Sequence, residues 1–340
     1  MAQTFQAIDE WHDVDERLFR EEIMPRYRPA VLRGVVRNWK AVTAGLGRPD
    51  AICDYFSKLD VGRQVSAVLV RPEYGGHQFY NDDMSGFTFA RDTVPLAKVL
   101  DQIRRYAALA SPPSVAVQGA EIADCMPQFL TENVLPILSP SVKPKLWIGN
   151  HFIVPTHCDE LSNVACVASG RRRFTLFPPE QLPNLYIGPL EFTPTGPPVS
   201  MVNLDNPDFD RYPRFKEALS MAQQAVLSPG DAVFIPPFWW HHVESLDKVN
   251  TLINYWWKEP NAAQHPTGSV SDCLYYCLLN LKDLPPVERR AIGAFFSHYL
   301  FDPSSDCAAH IPAEKRGILG QIAPSYAQQI KDYLVRKIKM

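Results

Sequence analysis

His157 and Asp159 stand two residues apart, and far downstream the aromatic run from Ile235 to Trp240 leads into His241 and His242. Two imidazoles and one carboxylate make the facial set that holds non-haem Fe(II) while leaving positions open for a co-substrate and oxygen. That is oxygenase chemistry. On an extended strand, residues two apart share a face, so His157 and Asp159 project together while Cys158 turns away. The third ligand must come from a strand brought alongside, and the stretch from Asp231 to Pro236 has the apolar composition of one. His241 and His242 cannot both face inward, and the residues alone leave that choice open. Asp159 sharpens the chemistry, because a carboxylate adds a hard oxygen and negative charge that suit Fe(II). Singly, an HxD recurs by chance and a histidine beside tryptophans is ordinarily a packed core residue. Their joint occurrence in strand contexts, with a Pro-Gly-Asp turn before the second, is what carries weight.

These residues need a rigid β frame. From Lys145 to Trp257 the chain reads as short apolar strands separated by turn signals, Ser169-Gly170 and Ser228-Pro229-Gly230-Asp231 among them, the texture of a jelly roll. An insertion from Leu182 to Ala225, carrying Tyr186, Phe192, Phe209 and Tyr212, interrupts it and is long enough for a lid, a binding wall or a packed excursion. Upstream, the spacing predicts helices over 15–22 and 95–109, strands over 29–36, 64–71 and 114–118, and helical periodicity from Ile122 to Leu138. Past Pro260 the pattern is helical again, over 271–281, 286–300, 314–322 and 324–338. The expected class is mainly β with flanking helices, a double-stranded β-helix plus a C-terminal helical tail. The division follows: an α/β flank over 1–110, a jelly-roll core over 111–260 with the insertion at 182–225, and a helical region over 261–340.

Composition narrows the class further. With 340 residues, 46% of them hydrophobic, the chain has ample material for a core. A formal net charge of -3 gives no electrostatic footprint for nucleic acid, whose phosphates demand clustered positive charge. The seven cysteines are scattered without close CxxC pairs, and the start of the chain lacks a signal or transit composition, so a reducing cytoplasm is expected. No apolar run is long enough to span a membrane.

In Pro155-Thr156-His157-Cys158-Asp159-Glu160, Phe177-Pro178-Pro179-Glu180-Gln181, Asp205-Asn206-Pro207-Asp208 and Trp239-Trp240-His241-His242-Val243-Glu244-Ser245, in order and at like spacing from about Leu146 to Trp257, the chain resembles the cupin-like JmjC hydroxylases, the asparaginyl hydroxylases most closely. The resemblance implies Fe(II) on His157, Asp159 and His241, and 2-oxoglutarate and O2 as co-substrates. It puts Arg172, where the asparaginyl hydroxylases carry lysine, on the distal carboxylate of 2-oxoglutarate, a contact arginine can make with two hydrogen bonds. Strand parity agrees, since Arg172 alternates with Phe174 and Leu176. Asn163 and Asn254 match asparagines that line the co-substrate pocket. Val154 stands where a co-substrate threonine is expected, and the tyrosine that partners it falls near Val115 or Ala116, so part of that contact is expected from Thr156 or from a tyrosine elsewhere in the chain. The family hydroxylates protein side chains, modified nucleosides and other targets, which implies a hydroxylated or demethylated product; the substrate expected first is a protein or peptide side chain, with a small molecule as the alternative, and a homodimer built through the C-terminal helices is implied as well. Two other classes compete: a non-catalytic cupin-like module that binds a metal or small molecule, for which Val154 speaks, and a metal-dependent isomerase that works without oxygen.

Overall fold

A computed structural model describes residues 5–258, 269–302 and 306–338. The chain divides into one unit over 1–257 and a second over 258–340. In the first, two sheets face each other. The smaller has the order β1 (Gln6–Ala7), β11 (Gln223–Leu227), β10 (Arg172–Phe177), β13 (Trp240–Ser245) and β8 (Ile153–His157). The larger begins with β2 (Asp9–His12), β3 (Ala30–Arg33), β12 (Ala232–Ile235) and β9 (Ser162–Ser169). It continues through β14 (Asn250–Trp257), β7 (Pro144–Gly149), β6 (Ser114–Glu121), β4 (Gln64–Val70) and β5 (Phe89–Pro95). Chain neighbours are split between the sheets, which is the crossing pattern of a jelly roll.

Side-chain alternation builds the layers. Phe174 and Leu176 of β10 and Val243 of β13 meet Ala165, Val167, Val233 and Leu252 of the larger sheet in one buried cluster. The other face of the larger sheet is covered by helices. In the helix Leu96–Ala107, Leu96, Val99, Leu100 and Ile103 fall at helical spacing on one stripe and are all buried against it. Strand β9 is therefore buried on both faces throughout, and its sequence, Ser162 to Ser169, reads as an apolar run rather than an alternation.

The predicted flank is part of this frame, because strands from residues 6–95 extend both sheets. The helical spacing of 122–138 resolves into two short helices, Ile122–Cys125 and Phe129–Glu132. Pro127 explains the break: it removes a backbone donor and drives the preceding Met126 to φ -147, ψ 62. The insertion has its own core, in which Leu185, Val202, Phe215 and Ala218 pack on Phe177 and Trp240.

In the second unit, helices span Val270–Leu281, Pro286–Phe296 and Pro324–Ile338, the first with a reciprocal Ser269 and Asp272 cap. The helix expected over 314–322 is instead two 3-10 turns, Ala313–Lys315 and Gly317–Leu319, with Gly317 at φ +53 ending regular pairing. None of the three helices carries a buried side chain. Among the described residues no helix is long and apolar enough to cross a membrane.

Candidate metal centre and its cavity

Strands β8 and β13 pair antiparallel with His157 opposite His241. Between β12 and β13 the chain turns at Phe238, which adopts φ +63, and its N–H donates to the Asp159 carbonyl at 2.8 Å. A bulky residue in the left-handed region is strained, and here the strain sits where two ligand-bearing segments are tied together. The outcome is a cluster in which one ligand atom each of His157, Asp159 and His241 lies within 4.8 Å of the others. His241 Nε2 is 3.7 Å from Asp159 Oδ2, and the two imidazole centroids are 4.2 Å apart.

Backbone carbonyls fix the tautomers. His157 Nδ1 lies 2.8 Å from the Pro155 carbonyl and His241 Nδ1 lies 3.0 Å from that of Trp239. A carbonyl only accepts, so each Nδ1 carries the proton and each Nε2 keeps a lone pair for a cation. Burial, reinforced by the neighbouring His241, pushes the His157 pKa down and keeps the ring in the neutral, ligating form. His242 lies outside the cluster, on the opposite face of β13.

The carboxylate has one further hold, since Trp256 donates its indole N–H to Asp159 Oδ2 at 3.1 Å. Trp256→Phe is expected to weaken divalent-metal affinity by ~10–100-fold, the cost of losing an outer partner of a ligand, while leaving the fold intact. Isothermal titration with Co(II) measures it; affinity equal to wild type would show the indole to be a packing group.

In front of the cluster opens a cavity of about 180 Å³, lined by Arg172, Asn163, Asn254, Val154 and Trp147 besides the three clustered residues. Asn254 Nδ2 donates to Asn163 Oδ1 at 3.0 Å. Three buried polar atoms of its lining have no partner among the described residues: Arg172 Nε, Trp147 Nε1 and Asn254 Oδ1. Arg172 is only 6% exposed, and burial lowers its pKa to about 10. A buried cation with spare donors around it suits an anionic, oxygen-rich ligand, which would restore the hydrogen bonds and charge balance that water no longer supplies.

Of the residues expected at the site, His157, Asp159, His241, Arg172, Asn163 and Asn254 line this one cavity. Thr156 does not. It is buried next to His157 on β8, and its backbone carbonyl accepts from Ser200 N–H at 2.8 Å. The register of β8 against β13 shifts between His241 and Val243, and Val154 takes the inward position. Ala116 packs with Phe152 away from the cavity, and no tyrosine is among the lining residues. Sequence reasoning missed Trp147, Trp256, Thr195 and Pro197. Trp256 was within reach, because it shares strand parity with Asn254. Thr195 and Pro197 come from the insertion, whose path no periodicity reveals.

The profile of the family described as a cupin-like domain matches residues 16–263. The chain belongs to the cupin-like domain family. Its relatives are of the JmjC type. Lysine-specific demethylase JMJ31 of Arabidopsis thaliana is 39% identical over 111 residues, 33% of this chain and 20% of that protein. Human HSPB1-associated protein 1 is 41% identical over 113 residues, again 33% of this chain and 22% of the relative. The tRNA wybutosine-synthesizing protein 5 of Danio rerio is 27% identical over 319 residues, 82% of this cupin-like chain and 86% of the relative. The chain thus spans about a fifth of the first two and most of the third.

Proposed function

We propose that this protein is an Fe(II)- and 2-oxoglutarate-dependent oxygenase. The observation that carries the reading is one cavity holding a His-Asp-His cluster at one place and, at another, a buried arginine whose Nε has no partner among the described residues. Fe(II) and 2-oxoglutarate, when bound, supply the oxygen-activating chemistry. The chain's own contribution is positional. His157 and His241 would hold the metal through Nε2 and Asp159 through its carboxylate. Arg172 would clamp the distal carboxylate of the co-substrate, with Asn163 and Asn254 bridging between that carboxylate's end and the metal. Apolar walls from Phe174, Ile235, Val243 and Leu252 keep bulk water out, so oxidation is directed at the substrate. Nothing in the lining suits Thr156 to a co-substrate role.

The substrate we favour is a protein or peptide side chain, hydroxylated or, where the carbon bears nitrogen, demethylated, in keeping with the demethylase among the relatives. A second reading, oxidation of a tRNA base, is favoured by the end-to-end match to the wybutosine-synthesizing protein. Succinate release stimulated by cell peptide fractions, against release stimulated by bulk tRNA, separates the two. The test of the oxygenase itself is anaerobic titration with Fe(II) and 2-oxoglutarate. A visible charge-transfer band is expected on addition of the second component, and its absence would remove this reading in favour of a binding module or an oxygen-independent isomerase. The narrower likeness to asparaginyl hydroxylases rests on the ordered motifs.

We further propose that the second unit makes a homodimer. Leu279, Leu300 and Phe301 of this unit are 81%, 69% and 72% exposed, large apolar side chains that a helical interface would bury. Sedimentation equilibrium is expected to give twice the chain mass of 38.4 kDa, and a monomeric mass for the full chain would end the proposal.

A further inference from the structure

Behind the metal cluster lies a second cavity, of about 240 Å³, between the segment 74–88 and residues 202–204 of the insertion. We propose that it is a ligand site for an uncharged, ring-sized molecule carrying both a hydrogen-bond donor and an acceptor. It backs onto the same two strands as the metal cluster, reached from their other face: His242 and Pro155 line it, while His241 and His157 line the cavity in front.

His242 is the first argument. Its side chain lines the cavity, it is only 6% exposed, and its ring makes no hydrogen bond to any described residue. Its ring nitrogens are not among the polar atoms sealed from solvent without a partner, so they open onto the cavity, where an occupant can reach them. In its neutral form the ring offers one N–H and one lone pair, so it asks for a partner that both accepts and donates. The other polar groups of the lining are mostly spoken for. Gln78 Nε2 donates to the Pro194 carbonyl at 2.7 Å, Tyr80 Oη donates to that of Phe192 at 2.6 Å, and Thr88 Oγ1 donates to that of His77 at 2.7 Å.

Size and charge narrow the occupant. A dry cavity of about 150 Å³ is enough to hold benzene, so this one takes one or two fused rings. Phe79, Tyr80 and Pro155 give it apolar walls. No lysine or arginine lines it, and Asp205 stands 3.6 Å from His77 Nε2 beside it, so an anion would be desolvated without compensation and repelled. An ammonium would lose its hydration for a single distant carboxylate.

The position gives an occupant leverage on the front cavity. The Pro155 carbonyl in its wall orients His157, and Gln78 and Tyr80 hold the strap 192–197, from which Thr195 and Pro197 reach the front cavity. Phe87 stacks on Phe192 of the same strap at 4.6 Å. Binding itself does not depend on the oxygenase reading, because it needs neither iron nor 2-oxoglutarate.

The test uses the full chain, metal-free and Zn(II)-loaded, titrated with phenol, indole and benzamide, with benzoate as the charged counterpart, while histidine ring signals are followed by NMR. At least one neutral probe is expected to saturate at one equivalent and move the His242 signal, with benzoate at least ~10-fold weaker. His242→Leu, which keeps the volume and removes the polar partner, is expected to weaken the probe at least ~10-fold. Leu204→Trp, which plugs the cavity from the insertion side, is expected to abolish binding even if the histidine variant folds poorly. Failure of all neutral probes to saturate would leave a water-filled void and overturn the site. So would displacement of the probe by 2-oxoglutarate, equal affinity for benzoate, or affinity unchanged in both variants.

Discussion

Asp159→Ala is expected to erase the visible band of the Fe(II) and 2-oxoglutarate complex and to lower succinate release by more than ~100-fold, beyond the upper range for losing an outer partner of a ligand. The size follows from what the side chain supplies. His157 and His241 are neutral donors, so Asp159 is the one negative charge among the three clustered groups, set in a largely apolar cavity where charge pairing is strong. Among the described residues its side-chain polar contacts are the indole of Trp256 at 3.1 Å and the distant Nε2 of His241. Removing it therefore costs the fold little, and the metal-free variant is expected to melt within a few degrees of the metal-free parent. Linkage provides a readout without turnover. A metal that binds only the folded state, present at about 100 times its dissociation constant, stabilises by about 2.7 kcal/mol, so Co(II) should raise the melting temperature of the parent and not that of the variant. Equal Co(II)-induced shifts in the two proteins would remove Asp159 from the metal site. A graded series, with Trp256→Phe between parent and Asp159→Ala, would separate the ligand from the group that steadies it.

How much of this was legible before the fold was known differs from residue to residue. The pairing of His157 with Asp159 was read from strand parity, yet β8 ends at His157 and Asp159 lies just beyond it, held by the Phe238 N–H on its carbonyl and the Trp256 indole on its carboxylate; the structure places both in one cavity. His241 against His242 was not a matter of parity alone, because both orientations give a plausible strand; the register of β13 against β8 sets it. Thr156 shows the opposite failure. It was chosen to fill a chemical vacancy, yet the pairing of β8 is irregular between Val154 and His157, so those two line the cavity and Thr156 between them does not. The helical reading of 122–138 counted apolar spacing and overlooked Pro127, whose lost donor outweighs periodicity. The strap with Thr195 and Pro197 lay beyond any local signal, since its place is set by long-range bonds from Gln78 and Tyr80. Residue types and spacing thus point to the ligands, while their final places and the walls of the cavity depend on contacts far apart in the chain.

Arg172→Met is expected to move stability and co-substrate affinity in opposite directions. The guanidinium is buried, its Nε lacks a partner among the described residues, and burial pulls its pKa down to about 10. Below that value the side chain is charged in both folded and unfolded chains, so the whole penalty, on the order of 3 kcal/mol, falls on the ligand-free fold at neutral pH. Methionine is of similar length and apolar, and replacing a buried charge by such a group is commonly stabilising by about 1–4 kcal/mol. The denaturant midpoint of the ligand-free variant should therefore rise. In the presence of 2-oxoglutarate the order reverses, because charge-assisted bonds to the distal carboxylate contribute about 1.5–3 kcal/mol, or ~10–150-fold in affinity. Arg172→Lys keeps the charge but loses the planar two-point grip, and its affinity should fall between the two. The KM for 2-oxoglutarate and the midpoint measured on the same preparations decide the matter. A variant that loses stability while binding 2-oxoglutarate as before would mean that Arg172 holds the β frame together and that the anion is bound elsewhere.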